Sequence, residues 1–77
     1  MMDTTYYKIH DLNLIGKEEE YIPYLYKNGV WEVDKDHIID DRKIGYDELE
    51  RTIGNSDMLF RIDEIKEEEA LRIINSQ

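Results

Sequence analysis

Asn28-Gly29, set between Tyr21-Ile22-Pro23-Tyr24-Leu25-Tyr26-Lys27 and Val30-Trp31-Glu32-Val33-Asp34, restricts this chain more than any other feature. A two-residue type I′ loop needs positive φ at both central positions, and Asn-Gly meets that need with little steric cost. The loop length fixes the register: Lys27 faces Val30, Tyr26 faces Trp31, Leu25 faces Glu32 and Tyr24 faces Val33. Alternation then places Tyr24, Tyr26, Trp31 and Val33 on one side of the hairpin. Tyr26 and Trp31 fall at a non-hydrogen-bonded position, where side chains sit closest, worth about 0.2–1 kcal/mol over an Ala–Ala pair. Pro23 has no N–H to donate, so the ladder is expected to stop or bulge there.

The remaining segments are read around this hairpin. Met1 to Thr5 is expected to fray. Tyr6 to His10 reads as a first strand, with Tyr7 and Ile9 on one side and Tyr6, Lys8 and His10 on the other. Asp11 to Gly16 fits either a turn with apolar anchors or a continued strand, and Lys17 to Glu20 reads as a solvated loop. Lys35 to Gly45 fits a loop or one short turn of helix. Tyr46, Leu49 and Ile53 follow helical spacing before Gly54, which predicts a short helix over 46–53, with Asp47 and Glu48 near its positive end. Asn55 to Asp57 reads as a turn. Met58 to Ile62 alternates as a strand, and Ile65 either extends it or opens the next element. Glu67 to Asn75 is the strongest helical pattern, with three Glu in its first turn and an Ala70, Leu71, Ile74 stripe flanked by Ile73. Lys66 is a poor cap, and Glu68 and Arg72 form a favourable i,i+4 pair.

These elements predict a single α+β domain over 1–77. It is a three- to four-stranded, mainly antiparallel sheet with the C-terminal helix packed on one face and a short helix near 46–53. The helix is expected to cover the face holding Tyr24, Tyr26, Trp31, Val33 and Phe60.

Composition narrows the function. The chain has 77 residues, no cysteine, and 10 Lys and Arg against 19 Asp and Glu, a formal charge of −9. Lacking cysteine, it has no disulfide, thiolate nucleophile or sulfur-ligated zinc, which favours a reducing, cytoplasmic setting. The first residues carry no signal-peptide pattern, and no apolar run reaches the ~18 residues of a membrane span. Excess negative charge disfavours direct binding to nucleic acid or an anionic membrane and favours a basic protein partner.

Candidate chemistry is thin. Asp34, Asp36, His37 and Asp40 resemble the start of a calcium loop, but the third acidic position and the turn glycine are missing. There is no G-x-S-x-G, P-loop or G-x-G-x-x-G. No cofactor, metal site or enzymatic activity is therefore expected. The outer hairpin face, carrying Tyr21, Leu25, Val30, Glu32 and Asp34 with Tyr6 from the first strand, has the aromatic centre and charged rim of a partner-binding surface. If instead the Ile38–Ile44 segment or the short helix folds over it, that face becomes core. The expectation is a non-enzymatic acidic protein that occludes a basic partner, as an inhibitor, immunity or anti-defence protein of the DNA-mimic kind. The alternative is a self-associating structural or regulatory module, a homo-oligomer.

Overall fold

The Asn28-Gly29 turn forms as its sequence requires: φ is 53° at Asn28 and 83° at Gly29, both left-handed. In the computed structural model, which describes residues 4–47 and 49–76, this turn is one of three that fold the first half of the chain into a meander. The strands are β1 (Thr4–Ile9), β2 (Leu14–Glu19), β3 (Ile22–Lys27) and β4 (Val30–Val33). Helix α1 (Ile38–Ile44), a one-turn helix α2 (Ser56–Leu59), strand β5 (Ile62–Ile65) and helix α3 (Glu67–Asn75) follow. The expected α+β class holds, with five strands rather than three or four, all antiparallel in the order β4-β3-β2-β1-β5.

The hairpin register is the expected one, from Tyr24↔Val33 to Lys27↔Val30. It stops at Pro23 for the reason given: the Asp34 N–H donates to the Pro23 carbonyl at 2.9 Å, but Pro23 has no N–H to return the bond. On its other side Pro23 pairs with Glu18 of β2. The segment expected to be a loop, Lys17 to Glu19, is therefore strand. Its turn to β3 is another two-residue loop, Glu20-Tyr21, at φ 52° and 70°. Neither residue is Gly or Asn, so nothing in the sequence announces it.

Paired residues share a side of the sheet. Tyr7, Gly16, Leu25 and Glu32 lie in one row across β1 to β4, and Ile9 with Ile62 lies on the same side. Helix α1 covers this first face. Its Ile39 is fully buried with Tyr7, Ile9 and Leu25, and Leu14, Ile38 and Ile62 pack around them. Gly16 lets α1 approach: a Cβ there would stand 2.8 Å from Ile39 Cδ1. Burying Ile39 is worth roughly 1.5–3 kcal/mol, which makes this contact the main anchor of α1.

The second face holds Tyr6, Lys17, Tyr24, Tyr26, Trp31 and Val33. Helix α3 packs on it against β1 with Ala70 fully buried, and Ile15 of β2, 1% exposed, lies on the same face. The helix is thus on the expected face but at the β1 end. Phe60 is not part of that face; it caps α2 and is 80% exposed. The Glu68–Arg72 pair does not close to ion-pair distance among the described residues.

Three further expectations are corrected. Residues 46–53 do not form a helix: Asp47 bridges to Thr52 around a tight loop with Arg51 at φ 55°, and Glu48 lies outside the described residues. Leu49 and Ile53 have nothing to pack on, at 96% and 73% exposure, so helical spacing alone does not make a helix. Met58 to Phe60 is not strand, because the Asn55 side chain accepts the Met58 N–H at 3.2 Å and starts α2 instead. Fraying was expected to Thr5, yet Thr4 and Thr5 pair with Glu19 and Glu18; Met1 to Asp3 lie outside the described residues.

Candidate functional site

The outer hairpin face is where the sequence points, and the structure divides it. Asp34 follows β4 directly and turns inward, where it is 3% exposed. Its Oδ1 and Oδ2 accept the N–H groups of Ile38 and Ile39 at 3.0 and 2.8 Å. These are orphan donors at the start of α1, and His37, the residue at the cap position, gives them no side-chain bond. Asp34 is thus a structural cap, and not a partner-facing carboxylate. Leu25, 2% exposed, is floor under α1 and equally closed to a partner. The Ile38–Ile44 segment does fold over the Leu25 part of this face and makes that part core, while Val30 and Glu32 stay exposed.

A cleft of about 470 Å³ remains between the hairpin and the start of α1, walled by Leu25, Lys27, Glu32, Asp34, Lys35 and Ile38. Of the residues expected to bind a partner, Leu25, Glu32 and Asp34 meet here. Val30 sits beside them, half-exposed opposite Lys27. Tyr21 does not join them: it stands 98% exposed on the β2–β3 turn. Tyr6 points to the opposite face. The cleft mixes lysines with carboxylates, so its own charge selects no partner.

On the second face, Tyr6 and Trp31 come to 6.3 Å between ring centroids although their strands are three strand-widths apart, about 14 Å. Both rings lean inward over β2 and β3. Tyr26 meets Trp31 edge-on at 5.1 Å. Beneath this arch the Lys17 ammonium lies 4.5 Å from the Trp31 ring centroid and 5.4 Å from that of Tyr24, and Glu19 bridges to it at 3.0 Å. Such a cation over an aromatic face contributes about 0.5–2 kcal/mol. The arch lies over β2 and β3 beside α3 and half-buries its own rings, while Val33 at the β4 end of this face stays 51% exposed. No sequence signal pointed to Lys17, which looks like one charge in a charged run.

A second cleft, about 380 Å³, lies between the end of α1, the 46–55 loop and α2, and was not foreseen. Arg42 of α1 is 9% exposed and donates Nε and Nη2 to the two Asp11 oxygens at 3.0 and 2.6 Å. This hydrogen bonding holds the Asp11 carboxyl below its ordinary pKa against a smaller opposing effect of burial. Arg61 stands 3.8 Å from the same carboxylate. Lys43, one residue on, bridges to Glu18 at 2.5 Å and lies over the Tyr7 ring, and the Glu18 bond raises its pKa. These pairs fasten α1 to the β1–β2 loop and to β2. They also consume the cations nearest the cleft, leaving Asp41 and Asp57 on its walls with no cation in bridging distance among the described residues.

Exposed acid gathers elsewhere: Asp63 and Glu64 on edge strand β5, then, past Lys66, Glu67, Glu68 and Glu69 in the first turn of α3. Asp63 meets His10 at 2.7 Å. No described cation bridges the other four. Among the described residues no three carboxylate or imidazole groups converge as metal ligands, and His37 reaches only Asp40, at 3.8 Å. No described helix is long and apolar enough to cross a membrane. In comparisons with known proteins, no family model matches the chain, and no curated protein or solved structure is significantly similar to it.

Proposed function

We propose that this chain is a non-enzymatic acidic binding protein that occludes a basic partner protein in the cytoplasm, in the manner of an inhibitor, an immunity protein or a DNA mimic. The observation that carries the reading is the set of exposed acids Asp63, Glu64, Glu67, Glu68 and Glu69 along a sheet edge and a helix start, which outnumber the one lysine among them, Lys66, and of which only Asp63 is ion-paired among the described residues. A local excess of carboxylates sets up a field that speeds encounter with a basic surface and weakens as salt rises. A salt titration of binding to a panel of basic nucleases tests this. The affinity for the cognate partner should fall steeply between low and physiological salt. Binding that ignores salt, or no binding across the panel, would count against it.

Self-association is the second reading, and β4 supports it. It is the other sheet edge, four residues long, with Val30 and Val33 54% and 51% exposed and no Lys or Pro along it to discourage pairing. Sedimentation at two concentrations separates the readings: a strict monomer removes this one.

A further inference from the structure

We infer that the cleft beside the 46–55 loop is the docking point for an apolar side chain flanked by Lys or Arg on a basic partner. The inference rests on the proposed acidic binding function and adds a second contact to the β5–α3 acids that carry it. Leu49 lines this cleft with Tyr46 and Met58 and is 96% exposed. The same stretch of chain carries Ile53 at 73% and Phe60 at 80%. Ile53 and Phe60 lie outside the cleft lining, so Leu49 is the large, open apolar side chain the cleft itself offers, the kind of residue that interface centres bury. The tight Asp47–Thr52 loop holds Leu49 outward: Asp47 Oδ1 accepts the Leu49 N–H at 2.9 Å, and its Oδ2 accepts from Asn55 Nδ2 at 3.2 Å. The apolar residue is therefore presented by a built loop.

Charge decides what covers it. Asp41 and Asp57 stand at the apolar wall with no cation in bridging distance among the described residues, while the two arginines in the cleft face Asp11 and the Asp47 carboxylate is taken up by the loop's own hydrogen bonds. A second copy would bring the same carboxylates and a further −9 of charge against them. A basic segment brings the opposite sign. The partner's cations would meet the aspartates at the rim and its apolar residue would meet Leu49 and Met58, the usual division between interface rim and centre.

Two labelled twelve-residue peptides of equal positive charge test the inference, one alternating Lys and Leu and one with Lys and Gly. Binding is followed by fluorescence anisotropy, and amide shifts map the contact. The Lys–Leu peptide should bind more tightly, with shifts concentrated in residues 44–61. Leu49→Ser, at a fully exposed position that does not support the fold, should weaken the Lys–Leu peptide about tenfold and leave the Lys–Gly peptide unchanged. Asp57→Asn should weaken both about two- to threefold. If Leu49→Ser has no effect while both peptides still bind, the docking point is wrong and the acidic-binder reading survives. If neither peptide binds, both fall. Dimerisation abolished by Leu49→Ser would make a second copy the occupant and overturn the inference.

Discussion

Gly16 and Ile39 offer the sharpest test of how the sheet and α1 fit together. Gly16→Ala adds one methyl on the first face of β2, where its Cβ would lie 2.8 Å from Ile39 Cδ1, 3.3 Å from Ile39 Cγ1 and 3.3 Å from the Tyr24 carbonyl oxygen. Ile39 is fully buried, so its side chain cannot swing into solvent to make room. Overpacking by one methyl costs about 1–3 kcal/mol, and the stiffer unfolded chain returns about 0.4–1 kcal/mol. A net destabilisation of about 1–2 kcal/mol is expected. Ile39→Val alone removes Cδ1 and costs about 0.5–1.5 kcal/mol. In the double variant the methyl added at 16 fills the space vacated at 39, so the two losses should not add. A coupling of about 1 kcal/mol in favour of the pair is expected. Urea unfolding of the four proteins, with m held constant across them, measures it. Strict additivity, or Gly16→Ala as stable as the parent, would refute the contact between β2 and α1.

Other outcomes follow from the caps, turns and ion pairs. Asp34→Ala leaves the Ile38 and Ile39 N–H groups without acceptors and should cost about 1–2 kcal/mol, read by urea unfolding; an unchanged midpoint would deny Asp34 its capping role. Replacing Glu20-Tyr21 by Asn-Gly should stabilise the protein by about 1–2 kcal/mol in thermal melts, because two residues now held at positive φ would be exchanged for ones that tolerate it. The Arg42 bond lowers the Asp11 pKa on folding. Its contribution is therefore complete above the unfolded carboxyl pKa, about 3.9, and is lost as pH falls through the lower folded value. Asp11→Asn should be less stable than the parent at pH 7, and the gap should narrow below about pH 4; a gap that stays constant down to pH 2 would show that the ion pair contributes nothing.

How much of this was legible depended on whether the deciding force was local. The hairpin was, because Asn28-Gly29 dictates turn and register within two residues. So was α3, whose apolar stripe and leading glutamates agree. Strand β2 was hidden because Lys17, Glu18 and Glu19 look solvated. Lys17 and Glu18 are half-buried because partners further along the chain receive them, Trp31 and Tyr24 for Lys17 and Lys43 for Glu18, and Glu19 then pairs with Lys17. Helix α1 was obscured in the same way. Its cap is Asp34, four residues before Ile38, and its basic last turn is held by Asp11 and Glu18. The false helix at 46–53 shows the converse, since Tyr46, Leu49 and Ile53 have the spacing but no surface to bury it on. The expected docking face suffered for this reason too. Alternation placed Leu25, Val30 and Glu32 on one side correctly, yet only the fold reveals that α1 is laid over Leu25.

The strand order carries a consequence for assembly. From β1 to β4, every strand meets the one before it across a loop of two to four residues, so each pairing closes a short circuit of chain at small entropic cost. Strand β5 alone must travel back past α1 and α2 to reach β1, pairing Ile62 with Ile9. Closing that pairing therefore carries the largest loop-entropy cost in the sheet. The β5–α3 arm bears Asp63, Glu64, Glu67, Glu68 and Glu69, so a cation-rich surface that gripped it would also hold closed the sheet pairing that spans the longest stretch of chain.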